Sequence, residues 1–143
     1  MSTIGHPLSD LANALMPFSS ARTAHGPPET RIPHAHEAFL PSATPGLPTP
    51  EQLASIYATA AGLAGGRWDG MDQELMWTQA FATFRLSAIC QGIAARAAVR
   101  QATSAKANEH ARARGPVAEL AWALIQETDE EQARGRGPTK ARI

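Results

Sequence analysis

One cysteine, Cys90, is all the thiol the 143 residues hold. That excludes an internal disulfide framework and fits a reducing compartment. No apolar run approaches the roughly 20 residues needed to cross a bilayer. The opening residues, Met1-Ser2-Thr3-Ile4-Gly5-His6, carry no basic stretch, so a secretory signal is not expected. Charge of one sign is missing too. Thirteen Lys+Arg balance thirteen Asp+Glu, so no bulk attraction to nucleic acid or anionic membrane is expected. The length suits one domain and leaves no room for two. The expectation is a single cytoplasmic unit, and composition says nothing about its chemistry.

Proline is scarce after residue 50 and crowded before it, at positions 7, 17, 27, 28, 33, 41, 45, 48 and 50, with only Pro116 and Pro138 following. The first third therefore reads as mostly irregular chain and the rest as mostly helix, an all-α class. Before residue 50 only Pro7 to Met16 has helical spacing, in Leu8, Leu11, Ala12 and Leu15; Pro7 opens that helix and Pro17 stops it. The Pro-rich loop 17–49 has no period of either kind. A connection of that length is rare inside a compact domain and needs a surface to lie on.

Helix signals then strengthen. Thr49-Pro50-Glu51-Gln52 is a capping box with Thr49 as N-cap, Pro50 at N1 and Gln52 at N3. Leu53, Ile56, Tyr57 and Ala60 predict its apolar stripe, and Gly62 its end. A long helix is expected from Asp69 or Asp72 to about Gln101. Its apolar residues, among them Trp77, Phe81, Phe84, Ile89 and Ile93, occupy nearly every face, the mark of a central helix wrapped by others. A last helical region covers 103–126, with Val117, Leu120, Ala121, Leu124 and Ile125 as its apolar face and Pro116 as a kink or restart. Residues 128–143 read as a disordered tail. With about 45 residues of loop and tail contributing little, three flanking helical pieces cannot wrap the central one as fully as a domain of this size requires. The core looks incomplete.

Four groups of residues are candidates for chemistry. His34-x-His36, with His25 nearby, offers too few ligands for a zinc site, so exposed loop histidines are the expectation. Cys90 lies in the most apolar helix and reads as a buried structural thiol. Arg85, Arg96, Arg100, Lys106, Arg112 and Arg114 give a local positive excess with Glu109 as the lone acid. Within it, Arg85, Ile89, Gly92 and Arg96 share a helix face. Arg85 follows Phe84 and is expected to be part-buried against a carboxylate, with ligand phosphate or carboxylate as the alternative. The lack of interleaved aromatics argues against a nucleic-acid face. Asp10 is either a first-turn acid favoured by the helix dipole or a buried acceptor clamping backbone N–H groups.

Two segments resemble a known family. Ser2-Thr3-Ile4-Gly5-His6-Pro7-Leu8-Ser9-Asp10-Leu11-Ala12 is similar to the stretch that follows the metal-binding Asp in aminoglycoside phosphotransferase-like kinases. Phe84-Arg85-Leu86-Ser87-Ala88-Ile89-Cys90-Gln91-Gly92-Ile93-Ala94-Ala95-Arg96-Ala97 resembles the central C-lobe helix of the branch fused to some acyl-CoA dehydrogenases. Gly46-Leu47-Pro48-Thr49-Pro50-Glu51-Gln52-Leu53 and Tyr57 match between them, so the resemblance runs over 2–126. His6 departs from it, since the wider superfamily commonly has Asp there.

The resemblance implies a partial phosphotransferase-like C-terminal lobe over 1–127. In that family ATP and Mg sit between a β-rich lobe and a helical one, and metal ligands and a catalytic Asp perform the transfer to a hydroxyl on a small molecule. The nucleotide loop, ATP-anchoring Lys, catalytic Asp and metal-binding Asp have no counterpart in these 143 residues. The expectation is a truncated or split piece, inactive alone, whose partner is the missing N-terminal part or a second copy. By the same resemblance Asp10 supports the catalytic loop, and Arg85 and Arg96 line or brace the acceptor side. The alternative is a stand-alone helical interaction module that self-associates or completes a partner.

Overall fold

The computed structural model describes residues 6–33, 35–62 and 72–135. Among the described residues there are four helices, α1 (Leu8–Ala21), α2 (Pro50–Ala60), α3 (Asp72–Ala98) and α4 (Ala107–Gly135), with one 3-10 turn at Glu37–Phe39. Among the described residues there is no strand, so the class is all-α. No helix among them is long and apolar enough to cross a membrane.

The backbone of the fold is the antiparallel pairing of α3 with α4. Ala80 packs with Leu120 and Leu124, and Cys90 with Ala113 and Val117, so the contacts run in opposite directions along the two helices. α3 contributes small side chains to this interface: Ala80, Thr83, Ser87, Cys90 and Ala94 are all buried. α4 answers with Val117, Leu120 and Leu124. The buried hydroxyls cost nothing unsatisfied, because Thr83, Ser87 and Thr128 each donate to a carbonyl of their own helix at 2.7–2.8 Å.

A second cluster joins Leu8, Leu11 and Leu15 of α1 to Ala54 of α2, with Leu75 of α3 against it. The Tyr57 hydroxyl donates to the Pro7 carbonyl at 2.7 Å, pinning α2 to the start of α1. Both halves of the capping box form: the Gln52 N–H donates to Thr49 Oγ1, and the Thr49 N–H to Gln52 Oε1 at 2.8 Å. Gly62 sits at φ +71 just past the helix, the left-handed conformation that glycine adopts without steric cost. Of the apolar stripe expected on α2, Leu53 and Tyr57 pack against this cluster, whereas Ile56 is 61% exposed and Ala54 and Ala58 are the buried residues.

Three further expectations need correction. Pro17 does not stop α1, which continues to Ala21. Proline forfeits the bond to the Asn13 carbonyl, yet Ser19 and Ala21 beyond it are buried, and that burial carries the helix on. The Ser20 hydroxyl lies within hydrogen-bond reach of the Met16 and Pro17 carbonyls at 3.0 Å. The Pro-rich loop is not structureless over its whole length. Ile32 packs on both α3–α4 clusters, its N–H donates to Thr23 Oγ1, and Phe18 meets Phe39 edge-on at 5.2 Å. Finally α4 passes through Pro116 and runs to Gly135, with Thr128 fully buried, so the helix extends past residue 127. The expected disorder of 136–143 lies outside the described residues.

The end of α3 holds a strained residue. The Gln101 N–H donates to the Arg96 carbonyl and the Arg100 N–H to that of Ala97, a Schellman pattern with Arg100 at φ 56. Glycine is the residue that takes this conformation without penalty. Arg100→Gly is therefore expected to raise stability by about 1 kcal/mol, read from the urea midpoint.

Candidate functional site

Three residues were expected to belong to a site, and the structure brings two of them near each other. Asp10 lies exposed in the first turn of α1. Asn13 stands one turn further along the same face, and Arg85 of α3 donates to its Oδ1 at 3.2 Å. Asp10 thus lies one helical turn from the α1 residue that Arg85 meets. Arg96 lies three turns away along α3, about 16 Å by helical rise, and belongs elsewhere.

The expected burial of Arg85 against a carboxylate is not what forms: Arg85 is exposed and its partner is an amide. The reason lies in Phe84, which also faces outward, so the turn it shares with Arg85 is a solvent turn. Asp10, likewise, is an exposed carboxylate and not a buried acceptor.

Of the groups with reactive potential, Cys90 is 1% exposed and its burial pushes the thiol pKa up, away from the thiolate that nucleophilic chemistry needs. His36 is exposed and tilts against Phe39 at 6.5 Å; His34 lies outside the described residues. Among the described residues no three His, Cys, Asp or Glu side chains gather where they would hold a metal.

Two features escaped the sequence. The first is a cleft of about 510 Å³ between α1, the Pro-rich segment and the start of α2, walled by Leu15, Phe18, Phe39 and Leu47. Arg22 stands in its lining, held by Glu127 of α4 through two bonds of 2.6 and 3.2 Å. The hydrogen bond to that carboxylate raises the Arg22 pKa further, so the cation is engaged within the chain. Glu51 lines the same cleft, and the Thr49 hydroxyl and its own backbone N–H hold its carboxyl below the usual range.

The second feature is larger. On α3 the big side chains point away from the core: Trp77 is 42% exposed, Phe81 65% and Phe84 58%. The burial expected from an all-round apolar helix is inverted, since α4 takes the small face and the aromatics are left outside. Their spacing, 77, 81, 84, was the available signal, because it continues through Ala88, Gln91 and Ala95 as an uninterrupted four-three repeat.

No family model matches the chain and no solved structure does. Over 98 residues, 67% of the chain, it is 30% identical to acyl-CoA dehydrogenase family member 11 of Pongo abelii. The chain covers 11% of that protein's length.

A pH test follows from Glu51. Its folded pKa is lowered from 4.5, so its contribution is present above that value and is lost as pH falls through the folded pKa. Urea midpoints of the wild type and Glu51→Gln should differ at neutral pH and converge by about pH 3. A difference that persists there contradicts the cap contact.

Proposed function

We propose that the chain is the helical part of a small-molecule phosphotransferase-like unit, a kinase acting on a hydroxyl acceptor, that is inert alone and works only with more polypeptide set against it. The observation that carries this reading is the outward aromatic row on α3. Apolar side chains of this size in a contiguous exposed patch mark a surface meant to be covered. Similarity to a protein named for the acyl-CoA dehydrogenase family supports the resemblance, because the phosphotransferase branch in question is the one fused to such dehydrogenases. Asp10 and Arg85 are both exposed, which leaves them accessible to a catalytic loop supplied by other polypeptide.

Phosphoryl transfer is almost wholly positioning and metal electrostatics. Asp10, Arg85 and Arg96 supply neither a base aimed at an acceptor nor a pair of carboxylates for Mg. ATP and Mg would be held by the polypeptide that completes the unit, and Arg85 would brace the acceptor side.

A second reading is an interaction module that acts by association alone. One observation favours it: the exposed row on α3 is bulky at one end and shallow at the other.

The purified chain with ATP, Mg and a panel of hydroxylated acceptors should show no phosphate transfer above a blank. Turnover by the isolated chain sinks the reading. So does a genomic reading frame upstream of Met1 with no Asp-Trp-Glu-like triplet, together with no neighbouring gene for a nucleotide lobe.

A further inference from the structure

α3 carries a row in which every position faces solvent, starting at Glu74 and ending at Ala98. Its N-terminal half holds Glu74, Trp77, Phe81 and Phe84. Its C-terminal half holds Ala88, Gln91, Ala95 and Ala98. Bulk is thus concentrated at one end and shallow surface at the other. Charge differs between the two ends as well, with Glu74 at the first and Arg96 and Arg100 exposed at the second, while Arg85, also exposed, flanks the middle.

We propose that this row is the contact by which the chain pairs with a second copy of itself, the two α3 helices lying antiparallel about a two-fold axis level with Leu86. The inference rests on the second reading above and names its partner. In this register the row maps onto itself. Phe84 faces Ala88 of the other copy, Phe81 faces Gln91, Trp77 faces Ala95 and Glu74 faces Ala98. Each large side chain meets a small one, the interdigitation that lets two helices approach closely. Glu74 falls between Arg96 and Arg100 of the other copy, so opposite charges meet at both ends. A parallel pairing does the reverse: it sets ring on ring, acid on acid and Arg96 on Arg96.

Two more observations agree. The three aromatics leave roughly 300 Å² of ring surface open, a fitting apolar centre for an interface of about 800 Å² per partner. Arg100 occupies a left-handed position that glycine would hold at lower cost, and the proposed contact gives that arginine an opposing acid. A two-fold contact is isologous, so one patch suffices for both chains.

The full chain, examined by light scattering behind size exclusion, should run at twice its 15.2 kDa. Phe84→Glu should give a monomer with unchanged helical circular dichroism, since Phe84 is already 58% exposed within the chain. Glu74→Arg should weaken pairing about tenfold, and adding Arg96→Glu and Arg100→Glu should restore it. Under mild oxidation the double variant Glu74→Cys with Ala98→Cys should form a covalent dimer, whereas neither single variant should. On one helix those positions are about 36 Å apart, so any bridge joins two copies, and Cys90 is buried out of reach.

A monomer that melts cooperatively overturns the pairing and the second reading together. A dimer that survives Phe84→Glu, or that is bridged by a single cysteine variant, overturns this geometry and leaves an association surface standing.

Discussion

Everything in this fold depends on α3 giving its small face to α4. Ala80, Thr83, Ser87, Cys90 and Ala94 allow the two helices to approach closely, and Val117, Leu120 and Leu124 fill the remaining space from the other side. Once that face is spent, the aromatic residues of α3 have no place inside the α3–α4 pair. They fall on a neighbouring face, roughly 100° round the helix from the seam, seven residues bringing Trp77 and Phe84 back to nearly the same direction. Burying the small face and exposing the aromatic row therefore follow from one orientation of α3.

The rest of the molecule is fitted to that pair. α1 lies on the N-terminal part of α3 through Leu11 and Leu15 near Leu75, and is tied at its far end to α4 by Arg22 and Glu127. Both of those side chains are about half exposed, so the bridge contributes little to stability; what it adds is a fixed angle between α1 and α4, elements 105 residues apart. Ile32 is the anchor of the Pro-rich segment, and its position on both α3–α4 clusters supplies the surface that a segment without periodicity requires. The cleft beside α1 is walled on its far side by the stretch that runs from Phe39 to the start of α2.

Local chemistry was legible wherever a single residue type decides a conformation. Thr49 and Gln52 specify a helix start by reciprocal bonding, and Gly62 a helix end by its missing Cβ; both work without knowledge of the rest of the chain. Pro17, expected to end α1, lies inside it for the converse reason, and Pro116 likewise lies within α4 and does not restart it. A proline costs a helix about 3 kcal/mol, and burying Ser19 and Ala21, or Val117 and Leu120, offsets that only through tertiary contacts that periodicity does not reveal. The site was less legible than the fold. Arg85 looked buried because Phe84 precedes it, and the reasoning failed at its premise that a phenylalanine on a long helix faces the core. The small residues of α3 mark the interface, and a hydrophobic pattern weighs them lightly because hydrophobicity scales with area.

The two ways of covering the α3 row place different demands on it. Polypeptide of another sequence can carry its own small and large residues and its own charges, so it imposes no pattern on the row beyond being apolar. A second copy can offer only the same row reversed, and that succeeds when bulk at one end is matched by depth at the other. Glu74 through Phe84 and Ala88 through Ala98 meet that condition position by position, with the acid and the arginines at opposite ends. A row evolved solely to receive foreign polypeptide has no reason to be its own complement, whereas one that pairs with itself must be. Size reverses about Leu86, and an acid and two arginines stand at the opposite ends of the same row. That coincidence is what places the second copy ahead of other coverings when the chain stands alone.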